Sequence, residues 1–252
     1  MKLFEFSPET YEMIEVLPIL EYLQANKNIG NEEIKDEPTL FHCYWVGPFL
    51  PSHLLCIKSL LDTQNVDKVY IWVPKLMDSF STSHIFRKLK NVEIKEFNKE
   101  IFDKITNVSN LYKEKLYSKY MSLVSLSLWQ NPEKQYAYAS DLFRFVILNV
   151  YGGVYFDMDN LFLRNVNDIK IQRWISQWGS YLLGNACIMR LEKDHDLIEP
   201  IMKSIPQYFY PTETFKMENP FDITMLHGAF FDTLWRDPRG RIPKPENSIF
   251  IP

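Results

Sequence analysis

The amino-acid sequence predicts an α/β fold in which helices cover a parallel sheet. Short apolar segments, rich in aromatic and β-branched residues, end at glycine or proline, and segments with helical spacing lie between them. Strands that alternate with helices in this way usually form a parallel sheet. The chain has 252 residues, of which 46% are hydrophobic and 15% aromatic. This composition is sufficient for one substantial core.

The first part of the pattern follows a polar N-terminal stretch. Residues 1–37 are predicted to form a short helical extension that ends in the linker NKNIGNEEIKDEP, ahead of one principal domain over residues 38–252. In that domain, LFHCYWVG is predicted to be a strand and HLLCIKSLLDT a helix. KVYIWVP and NVEIKEF are predicted to be the next two strands.

The second part of the pattern contains two long helical segments. LYKEKLYSKYMSLVSLSLWQ and YASDLFRFVILNVYGG both have helical character, and the glycine pair is expected to end the second helix. VYFDMDNLFL and YLLGNACIMRL are predicted to be strands, and DLIEPIMKSI a helix that Pro200 starts or interrupts.

Charge and cysteine content exclude several classes of protein. Thirty-two acidic residues against 28 basic ones give a formal charge of −4, so no broad basic surface for nucleic acid is expected. Three cysteines without a Cys-x-x-Cys pair argue against a disulfide framework or a zinc knuckle. No signal peptide or transmembrane segment is apparent, so a soluble cytoplasmic protein is predicted. The sequence leaves the oligomeric state open.

Two carboxylates, Asp157 and Asp159, follow an apolar segment directly. In a strand their side chains would point the same way, with Met158 opposite. Two acids at the end of an apolar strand are unfavourable unless a cation neutralises them, and a divalent ion with oxygen ligands would do so. The sequence therefore predicts a metal site here. A second Asp-x-Asp, at residues 194–196, is interpreted only as the start of a helix.

The preceding helical segment carries one acidic and one basic residue in an otherwise apolar run. Asp141 and Arg144 are three positions apart and share a helix face. They are either an internal ion pair, which a buried helix requires, or contacts for a polar ligand beside the two strand-end acids. The sequence does not decide between these interpretations.

The stretch YASDLFRFVILNVYGGVYFDMDN joins these features in one order: Ser-Asp, two residues, Arg, a leucine-rich turn, Gly-Gly, an aromatic residue and Asp-x-Asp. It resembles the sugar-binding region of Asp-x-Asp glycosyltransferases, specifically glycosyltransferase family 32, which includes mannosyltransferases and capsular-polysaccharide transferases. It is more distantly similar to the glucosylating domains of large clostridial toxins. Weaker likeness at FHCYWVGP, GNACIMRLEKDH and KPENSIFIP extends the resemblance from Leu40 to the C-terminus.

The resemblance implies a GT-A-type, Rossmann-like mixed sheet flanked by helices. It also implies a UDP- or GDP-linked sugar donor, a glycan or other hydroxyl acceptor, and a divalent metal, Mn²⁺ or else Mg²⁺. Asp159 would be the direct metal ligand, and Asp157 would face the donor and the metal, with Arg144 as the third catalytic residue. The residues implied to bind the donor are Trp45, Asp141, Arg144, Tyr155, Asp157, Met158 and Asn185.

The late part of the chain departs from the family pattern. The family often has Thr-Gly-Pro there, whereas ENPFDITMLHGAF has Asn219 where glycine is expected. His227 in this stretch is either a further metal ligand or a core histidine bonded to backbone. The resemblance implies a retaining reaction. An inverting one would need a carboxylate base, for which Asp222 or Glu192 is a candidate.

Two other functions remain as alternatives. VYFDMDNLFL also resembles the first motif of haloacid-dehalogenase-type phosphatases, in which Asp157 would be the nucleophile and Asp159 the general acid. Leu161 in place of threonine, the position of the motif in the chain and the lack of a later acidic motif count against it. The third hypothesis is a non-catalytic nucleotide-sugar-binding module, which the intact aspartates and Arg144 disfavour.

Overall fold

A computed structural model describes residues 39–74, 85–129, 132–169, 171–177, 184–199, 223–226 and 250–251. The helices are α1 (Pro51–Thr63), α2 (Lys99–Asp103), α3 (Asn110–Trp129) and α4 (Pro132–Tyr151). The strands are β1 (Leu40–Tyr44), β2 (Lys68–Pro74), β3 (Val92–Phe97), β4 (Gly153–Phe156), β5 (Leu161–Phe162), β6 (Trp174–Gln177), β7 (Gly184–Leu191), β8 (Thr224–Leu226) and β9 (Phe250–Ile251).

Seven of these strands form one mixed sheet in the order β3-β2-β1-β4-β7-β6-β8. The first four neighbours are parallel, with β1 between β2 and β4, and Phe41 opposite both Val69 and Val154. β7 runs antiparallel to both β4 and β6, and β8 is parallel to β6. The α/β class and the mixed sheet flanked by helices are therefore confirmed.

Hydrophobic side chains fill both faces of this sheet. Strand β4 shows the alternation directly, because Tyr155 joins the cluster under α3 and α4, whereas Val154 and Phe156 join the cluster under α1. Nearly every residue from Leu142 to Val150 is buried, as the apolar run of α4 predicts. Each large apolar side chain that is fully buried contributes about 1.5–3 kcal/mol, so this helix is firmly fixed beneath the site.

A glycine pair connects α4 to β4 and brings the strand against β1. Gly152 has φ +68° and its amide donates to the Leu148 carbonyl at 2.7 Å, which ends the helix as predicted. Gly153 has φ +102°, and a Cβ atom there would lie 2.4 Å from the Leu40 carbonyl oxygen. Only glycine permits both the backbone angle and this close approach of the two strands.

The predicted strand VYFDMDNLFL is interrupted, so the expectation for its middle was wrong. β4 ends at Phe156, and residues 157–160 form a turn in which the Asn160 amide donates to the Asp157 carbonyl at 3.3 Å. The Asn160 side chain donates to the same carbonyl at 2.9 Å. Leu161 and Phe162 then leave the main sheet and pair with β9 near the end of the chain.

Several expectations concern residues outside the described ranges. These are the helical extension over residues 1–37, most of DLIEPIMKSI, and the positions Asn219, Asp222 and His227. Within the part of the chain that the structure describes, no helix combines the length and the apolar character needed to cross a bilayer.

Candidate active site

A cavity of about 440 Å³ lies at the carboxyl ends of β1 and β4. Because these two strands are parallel neighbours, their ends meet at one edge of the sheet, the usual place for a ligand in an α/β fold. The cavity receives side chains from the end of β1, the first turn of α1, the middle of α4 and the turn after β4. Its lining residues are Tyr44, Trp45, Val46, His53, Ala137, Ser140, Arg144, Asp157, Met158 and Asp159.

Asp157 is fixed in the cavity wall by neighbours on three sides. Its amide donates to the Cys187 carbonyl on β7 at 2.7 Å, and its Oδ1 accepts a hydrogen bond from the Tyr155 hydroxyl at 2.5 Å. Arg144 Nη2 lies 3.6 Å from the same Oδ1. Burial raises the pKa of Asp157, against the opposing effect of Arg144, and the nearby charge of Asp159 raises it further.

Arg144 links Asp157 to a second carboxylate. Its Nη2 lies 3.0 Å from Asp141 Oδ1, and only 6% of its side chain is exposed. Burial by itself would lower the pKa of Arg144, but Tyr155, Asp157 and Asp141 raise it above its usual value, so the guanidinium stays charged. The predicted internal ion pair is therefore present, and Arg144 also lines the cavity.

The hydroxyl groups beside Arg144 form a directed chain of hydrogen bonds. Tyr155 has one hydroxyl proton and donates it to Asp157, so at its 2.8 Å contact with Ser140 the serine must be the donor. Ser140 Oγ in turn accepts from Arg144 Nη2 at 3.1 Å. The guanidinium carbon also lies 4.6 Å from the centre of the Tyr155 ring. These contacts hold Arg144 and Asp157 in one geometry.

Asp159 differs from Asp157 because it is exposed and has no partner in the described part of the chain. Among the described residues it forms neither a hydrogen bond nor an ion pair, although it lines the same cavity. Asp141 adds a third carboxylate, and its side chain is 20% exposed. Burial raises the pKa of Asp141 to about 7. Arg144 thus contacts two carboxylates, Asp141 and Asp157, and Asp159 adds a third negative charge to the same cavity. The site has an excess of negative charge that a bound cation would offset.

The donor set fits a hard divalent cation that is held partly by its substrate. Carboxylate oxygens are the ligands that Mg²⁺ and Mn²⁺ prefer, and Asp157 and Asp159 supply them on one turn. Across the described ranges, no group of three or more His, Cys, Asp or Glu side chains is arranged to hold a metal. A cation at this turn therefore needs further oxygen ligands, such as those of a diphosphate.

Residues 52–176 match the family described as the glycosyltransferase sugar-binding region containing a DXD motif. The matched segment includes α4, nearly all of α1 and both aspartates of the turn. The chain is a DXD glycosyltransferase. Membership of family 32 in particular stays a prediction. The match removes the phosphatase alternative, because it assigns the Asp157-Met158-Asp159 segment to sugar transfer.

Several solved structures of glycosyltransferases are similar to this DXD glycosyltransferase. The PaToxG glycosyltransferase is 17% identical, with 78% of this chain and 70% of that chain covered, at a TM-score of 0.51. The ligand-free glycosyltransferase domain of the YGT toxin is 11% identical, covering 66% of this chain and 61% of that chain at 0.48. The galactosyltransferase LgtC is 13% identical, with coverage of 84% and 86% at 0.43. No curated protein matches the sequence.

The glycosyltransferase cavity contains some of the predicted donor residues but not all. Trp45 and Met158 line it, with the Trp45 indole donating to the Pro48 carbonyl at 3.1 Å. Tyr155 is fully buried behind Asp157, and Asp141 lies behind Arg144. Asn185 is in β7, where its backbone pairs with Ser176, and its side chain is outside the description, as is His227.

The structure rules out one candidate base. Glu192 follows β7, whose antiparallel register puts Leu191 opposite Gly153 at the start of β4, whereas Asp157 lies past the other end of that strand. Glu192 pairs there with Arg173. The idea that it serves an acceptor in this cavity is therefore wrong.

Five of the described lining residues were not identified from the sequence, and Ser140 and His53 are two of them. Ser140 belongs to the Ser-Asp element of the motif, but nothing in the sequence indicated that its hydroxyl connects Arg144 to Tyr155. His53 is a single histidine in a helical segment and carried no signal at all.

Proposed function

We propose that this glycosyltransferase transfers a sugar from a UDP- or GDP-linked donor to a hydroxyl group of a glycan or another acceptor, with a divalent cation, Mn²⁺ or Mg²⁺, and with retention of anomeric configuration. The observation that carries this proposal is the pair of unlike carboxylates in one cavity. Asp157 is held by Tyr155 and Arg144, whereas Asp159 is exposed and unpaired among the described residues. An unpaired acid beside a fixed one suits a cation shared with a ligand.

The chain's own residues would bind and orient the donor. Arg144 is permanently charged and fixed by two carboxylates and a serine, so it suits recognition of sugar hydroxyl or phosphate oxygens without losing a proton. Asp141 and Asp157 would hold that guanidinium in place. Trp45, half-buried at the rim, offers an indole face for the base.

The leaving group is a nucleoside diphosphate. Transfer breaks the bond from the anomeric carbon to the phosphate oxygen, the electron pair stays on that oxygen, and the acceptor oxygen forms the new bond while its proton passes to the departing diphosphate. A bound divalent cation supplies Lewis-acid stabilisation of that charge. Asp157 and Asp159 are the residues that would hold it, and His227 is a further candidate.

Retention is favoured because the described part of the cavity wall offers no carboxylate beyond the Asp-x-Asp pair. The only carboxylates among its described lining residues are Asp157 and Asp159, which belong to the proposed cation site, and Glu192 lies at the other end of the sheet. An inverting enzyme needs a base next to the acceptor hydroxyl. Asp222 keeps that role as a candidate if inversion is observed.

We also propose an extension over residues 1–37, a transferase domain over residues 38–252 and a cytoplasmic location.

The proposed function is tested by incubating the protein with UDP- and GDP-linked hexoses and Mn²⁺ and measuring the release of UDP or GDP. Release that requires the metal and is lost in Asp159→Asn is expected. A donor turned over equally by Asp159→Asn, or without any divalent ion, would contradict the proposal.

A further inference from the structure

The first turn of α1 brings a histidine into the cavity beside the two aspartates. His53 is only 4% exposed, yet its side chain is part of the cavity wall together with Asp157 and Asp159. The centre of its ring lies 3.9 Å from that of the Trp45 indole at an interplanar angle of 61°. The ring is therefore fixed by packing and cannot turn freely toward solvent.

Hydrogen bonding determines which ring nitrogen carries the proton. His53 Nδ1 accepts from the Leu50 amide at 3.0 Å, so Nδ1 is unprotonated and a neutral ring must carry its proton on Nε2. Burial lowers the pKa of His53, with an opposing effect from the charge of Asp159, which favours the neutral ring near pH 7. The side chain thus presents an N–H group and not a lone pair.

The other described histidines show what is missing at His53. His42 and His195 have the same arrangement, with Nδ1 accepting from Trp72 Nε1 and from the Leu197 amide. In both, Nε2–H donates to a backbone carbonyl: His42 to Gly152 at 3.1 Å and His195 to Phe145 at 3.0 Å. His53 Nε2 has no such partner among the described residues. Because the His53 side chain lines the cavity, a ligand bound there is expected to supply the acceptor.

The chemistry of the cavity identifies that acceptor. A ring that presents N–H cannot ligate a cation, which excludes His53 from the metal shell in this tautomer. The first turn of α1 contains no acidic residue, and the positive end of the helix favours an anion there. A phosphate oxygen is the anionic acceptor that a nucleotide-sugar donor would bring to this place.

We propose that His53 Nε2–H donates a hydrogen bond to the diphosphate of the bound donor and stabilises the departing nucleotide. This inference rests on the proposed function. The histidine keeps its proton throughout, because the electron pair released from the anomeric bond stays on the phosphate oxygen and His53 only hydrogen-bonds to that group. His53 is thereby assigned to the leaving group and not to the cation.

Two substitutions distinguish the roles of the two ring nitrogens. In His53→Asn the amide oxygen replaces Nδ1 as the acceptor for Leu50, but the Nε2 donor is lost. In His53→Gln the amide nitrogen reaches the Nε2 position, and the contact to Leu50 is lost instead. Calorimetric titration with UDP and with GDP, each with Mg²⁺, is expected to show binding that is about tenfold to a hundredfold weaker for Asn, as for loss of a hydrogen bond to a charged group, and nearer to wild type for Gln.

Equal affinity of the Asn variant and the wild type would overturn the role of His53 alone, whereas a wild-type protein that binds neither nucleotide would overturn the proposed function as well. Nuclear magnetic resonance of ¹⁵N-histidine-labelled wild-type protein tests the inference without any substitution. The His53 Nε2–H signal is expected to persist and to move downfield when UDP or GDP is added with Mg²⁺. Loss of the Nε2 proton on Mg²⁺ binding, or a chemical shift that does not change when the nucleotide is added, would contradict the inference.

Discussion

The Tyr155 hydroxyl donates a hydrogen bond to Asp157 Oδ1 at 2.5 Å, so one acid of the Asp-x-Asp pair is fixed before any ligand binds. The tyrosine is fully buried, and its second contact, with Ser140, continues to Arg144. Asp159 has no comparable support among the described residues. The two aspartates of this turn therefore differ in role: Asp157 is held in the cavity wall by hydrogen bonds, and Asp159 is exposed and can ligate a cation.

Replacement of Tyr155 by phenylalanine tests this support. The ring still fills its place in the core, but Asp157 and Ser140 lose a partner, so activity is expected to fall about tenfold to a hundredfold, as for a lost hydrogen bond to a charged group. Initial rates of donor turnover and the melting temperature would be measured together. Tyr120→Phe is the matched control, because it removes the buried 3.1 Å contact to the Tyr44 hydroxyl outside the Asp157 network. Full activity of Tyr155→Phe would contradict the assigned role.

Removal of Arg144 is expected to destabilise the fold as well as impair donor binding. Arg144→Ala leaves Asp141 and Asp157 without their cation, and breaking a buried pair from one side costs about 3–5 kcal/mol. The free energy of unfolding by urea measures this loss. Arg173→Ala provides the comparison, since that arginine also contacts two carboxylates but is 23% exposed and lies away from the cavity. If the two variants were equally stable, Arg144 would not be the cation that holds this part of the core.

The junction between α4 and β4 makes a prediction about glycine. Gly153→Ala would put a Cβ atom 2.4 Å from a backbone oxygen at φ +102°, so a loss of more than about 3 kcal/mol is expected. Gly47→Ala has a similar φ of +111° but nothing within 4 Å of the new atom, and is expected to cost about 1 kcal/mol. Thermal unfolding of both variants gives the comparison. A smaller effect at residue 153 than at residue 47 would disprove the close approach of β1 and β4.

Acid should destabilise the protein through two buried histidines. Burial lowers the pKa of His42 to about 3 and of His195 to about 4, below the ordinary value of 6.5. At these two residues the unfolded chain therefore binds more protons than the folded chain below pH 6.5, and the stability that they contribute above that pH is lost as the pH falls toward the folded values. Each histidine contributes a slope of up to about 1.4 kcal/mol per pH unit in that window. The ring signals of His42 and His195 in the folded protein should not titrate between pH 7 and 5, and titration of either ring in that range would refute the prediction.

Much of the fold could be predicted because its signals are local. β1 and β2 are short apolar segments, β3 alternates apolar and charged residues, and the glycine pair at 152–153 ends α4 where expected. The antiparallel register of β7 against β4 could not be predicted, because nothing local in GNACIMRL specifies its neighbour. The turn at 157–160 was missed for a related reason. Its apolar flanks, Phe156 and Leu161, suggest one strand, although they belong to two sheets.

The candidate site divides in the same way. Asp157, Asp159 and Arg144 could be found because charged residues in apolar surroundings require a partner or a ligand. The tautomer of His53 and the direction of the Ser140–Tyr155 hydrogen bond could not be found, since both depend on atoms that the fold brings together. Tyr155 was expected to touch the donor, and its complete burial behind Asp157 became evident only in three dimensions.

Crystals grown with Mn²⁺ and UDP or GDP, with anomalous diffraction recorded at the manganese edge, test the central claim most directly. One strong manganese peak is expected against the Asp159 carboxylate, with the diphosphate beside it in the cavity between Arg144 and His53. A manganese peak and a nucleotide bound elsewhere, with Asp159 still facing solvent, would contradict the account.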